Sequence, residues 1–339
     1  MTVGAHYKKG TQVMRIGLVL LGLLLSQVSY AVGEYTQHPL TLAFIDKMVD
    51  QHHFNRKQLL GLFAKVEKKQ NILEAIARPA EKVKPWYEYR KIFITNERIA
   101  QGVQFWRENQ AILSEVERKY QVSAKMVVAI IGVETGYGRN TGKYRVLDAL
   151  STLAFDYPPR ADFFVKELEA FLLLTKQQQQ DPLSLTGSYA GAMGYGQFMP
   201  SSVRNFAVDY NGDGVIDIWH NKGDAIASVA NYFKANGWQY RAPVFTLAKK
   251  TANFNEQLLN TKAKPSRSLN ELRSLGISPL SGDYPATSPV EALSYQVENG
   301  WEYWLGFNNF YVITRYNRSQ MYALAAWQLG EAIEDARSK

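Results

Sequence analysis

Ser123-Ala124-Lys125-Met126-Val127-Val128-Ala129-Ile130-Ile131-Gly132-Val133-Glu134-Thr135-Gly136-Tyr137-Gly138 is the stretch on which the reading turns. Ser123 is placed to cap a helix that starts at Ala124 and runs to about Thr135. The helix is apolar all round, which predicts burial on nearly every side at the centre of a helical core. Its C-terminal end carries one carboxylic acid, Glu134, and a glycine-rich exit through Asn140 lets a ligand come close to the backbone. A carboxyl group there is poorly solvated, and the partial negative charge of the helix C-terminus adds to the effect; both favour the neutral acid. An acid still protonated near neutral pH is what cleavage of a glycosidic bond requires of its general acid. The plainer alternative is a buried structural ion pair, with Arg139 as the partner nearest in sequence.

The pattern around this stretch is also helical. Leu42, Phe44, Ile45 and Met48, then Leu59, Leu60, Leu62 and Phe63, recur at helical spacing, and Pro79 and Pro85 interrupt the chain before a further helical run from Ile92 to Tyr120. Residues 147–175 hold two more helical patterns, Pro200 starts another, and Asp224 opens one that stops at Gly237. Between about Ala242 and Glu302, Pro, Ser and Asn become frequent. Val244–Leu247 and Ala292–Val297 read there as short strands of a small inserted α/β domain. Helix returns from Ser319 to Ala336. The class is mainly α (α+β), divided as 32–120 helical domain, 121–241 core, 242–305 small inserted domain, and 306–339 completing the core and the helical domain.

Gly187-Ser188-Tyr189-Ala190-Gly191-Ala192-Met193-Gly194-Tyr195-Gly196-Gln197-Phe198-Met199-Pro200 pairs small residues with Ser, Tyr and Gln. Ser188, Gln197 and the backbone amides offer hydrogen bonds to hydroxyl and acetamido groups, and Tyr189 and Tyr195 offer faces for sugar rings. A glycine-rich turn without a ligand would read the same way by composition. Asp148, Asp156 and Asp162 follow Glu134; a hydrolytic glycosidase wants a second carboxylate across its cleft, and nothing in the sequence singles one of them out.

Asp209-Tyr210-Asn211-Gly212-Asp213-Gly214-Val215-Ile216-Asp217-Ile218-Trp219-His220 has the spacing of an EF-hand loop. Asp209, Asn211, Asp213 and the Val215 carbonyl fall at oxygen-ligand positions, with Gly214 at the turn and Asp217 at the ninth place. Position twelve, normally a bidentate Glu, is His220, so the closing carboxylate must come from elsewhere. Asp224 is the candidate, and it is equally suited to cap the next helix. A structural Ca²⁺ is expected.

At the N-terminus Lys8, Lys9 and Arg15 precede an unbroken apolar run from Ile16 to Leu25, and Ser29-Tyr30-Ala31 supplies small residues for a peptidase. Residues 1–31 therefore read as a cleaved export signal, the run being too short to span a bilayer stably. There is no Cys, which excludes a disulfide framework and leaves no thiol for acylation after the signal, so no lipid anchor is expected. The net charge of +8 suits an anionic partner; export favours a wall polymer over nucleic acid. A metalloprotease HExxH, a Walker loop and a GxSxG elbow are all absent.

Glu134–Gly138 with Gly191–Pro200, joined by Asn309-Phe310-Tyr311-Val312-Ile313-Thr314-Arg315-Tyr316-Asn317 and the aspartate loop, resembles the B-type lytic murein transglycosylases, glycoside hydrolase family 103. The resemblance covers nearly all of the chain after the signal. It implies a lysozyme-like helical core with an N-terminal helical domain and a small insert. It further implies a periplasmic enzyme that cleaves the MurNAc–GlcNAc β-1,4 bond of peptidoglycan glycan strands and leaves 1,6-anhydromuramic acid ends. Glu134 is implied as acid and then base, without a catalytic cofactor. Ser188, Gln197 and Tyr195 are implied as substrate-binding residues, with Tyr316 and Asn317 on the cleft wall. A monomer is expected, with wall-synthesis complexes as partners. Two competing readings remain: a hydrolytic muramidase, and a non-catalytic wall-binding protein stabilised by Ca²⁺.

Overall fold

The computed structural model describes residues 33–77 and 84–339. The expected signal at 1–31 and the break at Pro79 lie outside those residues. Helix dominates. The chain runs through α1 (Pro39–His52), α2 (Arg56–Phe63), α3 (Gln70–Ala77), α4 (Trp86–Phe93), α5 (Asn96–Glu108), α6 (Gln110–Tyr120), α7 (Ala124–Thr135), α8 (Val146–Asp156) and α9 (Ala161–Gln177). A two-residue pairing of β1 (Tyr144–Arg145) with β2 (Thr186–Gly187) ties the exit of α7 to the glycine-rich stretch. Then come α10 (Pro200–Phe206) and α11 (Lys222–Ala235).

Local chemistry explains the helix starts. The side chains of Asn55, Thr95 and Asn221 each accept a first-turn N–H, of α2, α5 and α11. The expected cap of α7 differs: Ser123 occupies the N-cap position without a side-chain bond, and the Glu117 carboxylate, from α6, accepts the Ala124 N–H instead at 3.2 Å. A negative group serves that end of the helix at least as well, because it also meets the positive end of the helix dipole.

Helix α7 is the axis of the core. Every residue from Ala124 to Thr135 is buried except Lys125 and Glu134. Burying side chains such as Val127, Ile130 and Ile131 stabilises the fold by roughly 2 kcal/mol apiece before entropy is counted. The two polar residues sit at opposite ends. Lys125 makes 2.8 Å ion pairs with Glu331 and Glu334, both on the C-terminal helix α14 (Gln320–Arg337), which lies along α7. Glu134 emerges at the other end.

The insert is a five-stranded antiparallel sheet in the order β4 (Arg267–Ser268), β6 (Pro289–Val297), β7 (Gly300–Gly306), β3 (Phe245–Lys250) and β5 (Ile277–Pro279), with α12 (Leu269–Ser274) against it. Alternation divides it between two cores. Leu293, Tyr295 and Trp304 turn into the main core, while Val290, Ala292 and Leu305 turn to a small second core with Leu269, Leu272 and Ile277. The sequence pattern shows β3 and β6. It does not show β7, whose Gly-Trp-Glu-Tyr-Trp run lacks a β-branched signal, nor α13 (Asn308–Tyr316). Helices α13 and α14 return the chain to the core and so reach Glu134.

Candidate active site

Helix α7 ends in a left-handed turn. Gly136 has φ 58°, and its N–H and that of Tyr137 close onto the carbonyls of Gly132 and Ile131. Thr135 anchors the exit from the helix: its buried hydroxyl lies 2.9 Å from the Tyr195 carbonyl and accepts the Gly138 N–H at 3.0 Å. Gly138 has φ 88°, and a Cβ there would stand 2.1 Å from the Tyr195 ring. The helix exit and the glycine-rich stretch are thus held together by the Thr135 hydroxyl and by a Gly138–Tyr195 contact that leaves no room for a Cβ at position 138.

The glycine-rich stretch folds as turns cross-linked by Met193, which bridges to Gly187 and to Phe198. This brings Ser188 and Gln197 beside Glu134 in one cleft of about 560 Å³, whose other lining includes Arg139, Lys143, Tyr144 and Tyr189. Gln197 sits at φ 49° and spends its amide N–H₂ on the carbonyls of Thr141 and Gly194, each at 3.1 Å. Its Oε1 is left as an acceptor. Ser188 Oγ accepts the Ala192 N–H at 3.0 Å, which leaves its O–H to donate. An acceptor and a donor side by side match the N–H and C=O of an acetamido group.

Among the described residues Glu134 is the only acid lining this cleft. Burial pushes its carboxyl up to about 7 from an ordinary value of 4.5. The opposing influence is a hydrogen bond from the Tyr322 hydroxyl to Oε1 at 2.6 Å, which favours the ionised form. No cation of the described residues forms an ion pair with Glu134; Arg139, the partner suggested by sequence proximity, donates to Gln101 Oε1 instead. Burial and the nearby Glu134 charge hold the phenols of Tyr322 and Tyr316 protonated well above their usual value, and act in the same direction on Tyr89 of α4. Glu134 is therefore surrounded by neutral phenols rather than by countercharge.

The other sequence candidates fall in different places. Tyr316 donates to the Gly196 carbonyl at 2.5 Å and stacks on Phe233, so it buttresses the floor beside Gln197. Tyr195 lies beneath Gly138 and is not part of the cleft lining. Asn317 is exposed, and its side chain accepts the Ser319 N–H at 3.1 Å, shaping the turn between α13 and α14. Asp148 is fully buried with Arg145 and Lys69, Asp156 is held by Tyr35 and Lys68, and Asp162 is exposed in the first turn of α9. None of the three reaches the cleft. Sequence reasoning missed Tyr322 and Tyr89. Tyr322 is 188 residues from Glu134, and no local pattern marks it.

The aspartate loop lies apart from the cleft. Asp209 accepts the N–H groups of Gly212 and Gly214, and Asp213 that of Val215. Gly212 and Gly214 adopt φ 74° and 87°. Asp224 is fully buried; its two oxygens accept the N–H groups of Tyr210 and Asp217. Burial raises its carboxyl, and so do the charges of Asp209 and Asp213. Among the described residues no three acidic or His side chains form a preassembled metal cluster, yet the charges of Asp209 and Asp213 act on Asp224 with no Lys or Arg of the described residues ion-paired to any of the three. That donor set, with Asn211 and the Val215 carbonyl, fits a hard cation with oxygen ligands. His220 is exposed and pairs with Asp217 at 3.2 Å, away from the loop centre.

The family described as the transglycosylase SLT domain matches residues 37–331. Over 316 residues the chain is 44% identical to membrane-bound lytic murein transglycosylase B of Escherichia coli (strain K12), covering 90% of this chain and 85% of that one. Catenated lytic transglycosylase SltB1 of Pseudomonas aeruginosa superposes with a TM-score of 0.87 at 53% identity, covering 90% and 100% of the two chains. Lytic transglycosylase Slt35 of Escherichia coli, solved in complex with calcium, gives 0.83 at 43% identity over 91% and 96%. SltB3 of Pseudomonas aeruginosa, in complex with NAG-anhNAM-pentapeptide, gives 0.78 at 31% identity over 86% and 78%.

Proposed function

This chain belongs to the lytic murein transglycosylases of the SLT-domain family, and from that premise we propose that Glu134 alone carries the acid and base chemistry of its reaction. The enzyme acts on peptidoglycan. The observation that carries the assignment is an acid raised to about 7, the only acid of the described residues lining its cleft and held in no ion pair with them. Near neutrality a large fraction of Glu134 is protonated, and it donates that proton to the glycosidic oxygen between MurNAc and GlcNAc as the bond breaks. The developing carboxylate is stabilised by the Tyr322 hydroxyl. The substrate's acetamido group, held between Ser188 and Gln197, shelters the cationic sugar carbon. Glu134, now a base, takes the proton of the muramoyl C6 hydroxyl, whose oxygen closes the 1,6-anhydro ring, and the acid is restored without water. The anhydro sugar bound to SltB3 supports this course, as does the engagement of Asp148, Asp156 and Asp162 elsewhere.

We assign Asp209, Asn211, Asp213, the Val215 carbonyl and Asp224 as holders of a structural Ca²⁺, a reading supported by the calcium complex of Slt35. The ion would offset the charges that Asp209 and Asp213 impose on Asp224 and brace the start of α11; no catalytic step depends on it. We read the chain as exported to the periplasm with residues 1–31 removed. No helix of the described residues is long and apolar enough to cross a membrane. The test of function is digestion of purified peptidoglycan by wild type and Glu134→Gln, with the products weighed. Muropeptides lighter by one water than reducing ones, absent with the variant, are expected. Reducing ends would make the enzyme a hydrolase.

A further inference from the structure

One half of the insert's outer sheet face has no cover. On the β6–β7 pair, Ala292 and Leu305 stand opposite each other and are buried in the small core under α12. Side chains on the same face continue outward as the pairs Ser294 with Tyr303 and Gln296 with Trp301. Ser294 and Tyr303 are half-buried, Tyr303 still packing on the small core, while Gln296 and Trp301 lie open. Trp301 is 56% exposed, the most exposed Trp of the described residues. Two hollows, of about 230 Å³ and 300 Å³, meet along this face and share Trp301, Ser294 and Asn260. Asn260 is held in place by Ser294, whose N–H it accepts and whose hydroxyl it approaches at 2.9 Å, and it takes the left-handed conformation at φ 58° to do so.

The second hollow runs onto the main body of the enzyme. Its far wall is Trp86 at the start of α4 together with Gln320 and Met321 at the start of α14. Met321 precedes Tyr322, the partner of Glu134, and Tyr89, one turn beyond Trp86, feels the Glu134 charge. The hollow and the acid thus share the first turns of the same two helices.

Resting on the proposed cleavage of glycan strands at Glu134, we propose that the Trp301 face is a remote subsite for the strand itself, taking the β-1,4-linked N-acetylated sugars beyond those in the catalytic cleft. The chemistry favours sugar over stem peptide. An indole face receives the C–H side of a pyranose ring, and most polar groups around it are neutral, namely Asn260, Ser294, Gln296 and Gln320; Lys84 also lines one hollow, and Glu256, ion-paired with Lys250, lines the other. The neutral groups match hydroxyl and acetamido groups, whereas the several carboxylates of a stem peptide call for more cations than Lys84, the single cation of the described residues lining either hollow. Binding energy gathered this far from the scissile bond holds long strands in register and lets the enzyme discriminate by strand length.

The test uses the full chain carrying Glu134→Gln, with and without Trp301→Ala. Affinity is measured for peptide-free murein glycan strands, for the same strands bearing peptides, and for a tetrasaccharide. Trp301→Ala is expected to lower the ratio of long-strand to tetrasaccharide affinity by about three- to tenfold, with or without peptides, and Trp301→Phe to restore most of it. An unchanged ratio overturns the proposal. So does a loss confined to peptide-bearing strands, which would make the occupant the stem, and so does an equal loss for short and long ligands, which would mean a general effect on the fold. If Glu134→Gln still cleaves, the catalytic assignment fails instead; the Trp301 comparison is then read from KM of the Trp301 variants over the same substrates.

Discussion

Replacing Tyr322 by Phe tests the Glu134 site most directly, because it removes one oxygen and leaves the ring in its buried position. The Tyr322 hydroxyl donates to Glu134 Oε1 at 2.6 Å, the one hydrogen bond acting on that carboxyl to favour its charged form. Hydrogen bonds to a charged group contribute about 1.5–3 kcal/mol, and one pKa unit corresponds to about 1.4 kcal/mol. Losing the bond should therefore move Glu134 upward by about one to two units from its position near 7. The loss acts in two opposite directions. The enzyme stays protonated to higher pH, so the alkaline limb of kcat/KM shifts to higher pH by that amount. The carboxylate formed during bond cleavage loses its donor, so kcat near neutrality falls by about ten- to a hundredfold. The assay is a pH–rate profile on soluble glycan fragments, with thermal unfolding as a check that the fold is intact. An alkaline limb that stays in place or moves to lower pH would refute the reasoning, even if kcat fell.

Glu134→Gln should stabilise the protein in a pH-dependent manner. A folded-state pKa raised from 4.5 to about 7 means that stability present below about 4.5 is lost as pH rises through 7. The Gln variant lacks this loss, so its advantage in unfolding free energy should grow across that window to at most about 3 kcal/mol; a constant offset at all pH values would contradict the cause assigned here. Asp224→Ala removes the acceptor of the part-buried N–H groups of Tyr210 and Asp217, at a cost of about 1 kcal/mol each. It should also abolish the rise in Tm on adding Ca²⁺ that the wild type is expected to show; a Tm that still responds to Ca²⁺ would remove Asp224 from the ligand set. Gly142→Ala places a Cβ 2.1 Å from the Gly187 carbonyl at φ 95°, and should cost about 2–4 kcal/mol by denaturant unfolding. It should also lower turnover by displacing Ser188, and a variant as stable as wild type would show that the loop relaxes freely.

Much of this molecule was legible in one helix. The unbroken apolar run before Glu134 predicts burial all round, and a lone acid at the end of such a helix predicts a raised pKa; both depend on neighbours in sequence and on water exclusion, which hydrophobicity alone sets. The strands β3 and β6 and the aspartate loop were readable for the same local reason, since alternation and ligand spacing are properties of short segments. Other features depended on the return of the chain. Ser123 sits where a cap belongs, but Glu117 reaches the helix end first. Tyr195 has the composition of a sugar platform, yet its ring is spent on filling the space that Gly138 leaves. Tyr322 and Tyr89 have no local mark at all, because they become partners of Glu134 only when α4 and α14 close over the end of α7. The sequence by itself determined which acid is pushed above the ordinary carboxyl range. Only the tertiary structure decided which hydroxyl tempers it and which side chains share its cleft, because those distances are set by packing between segments far apart in the chain.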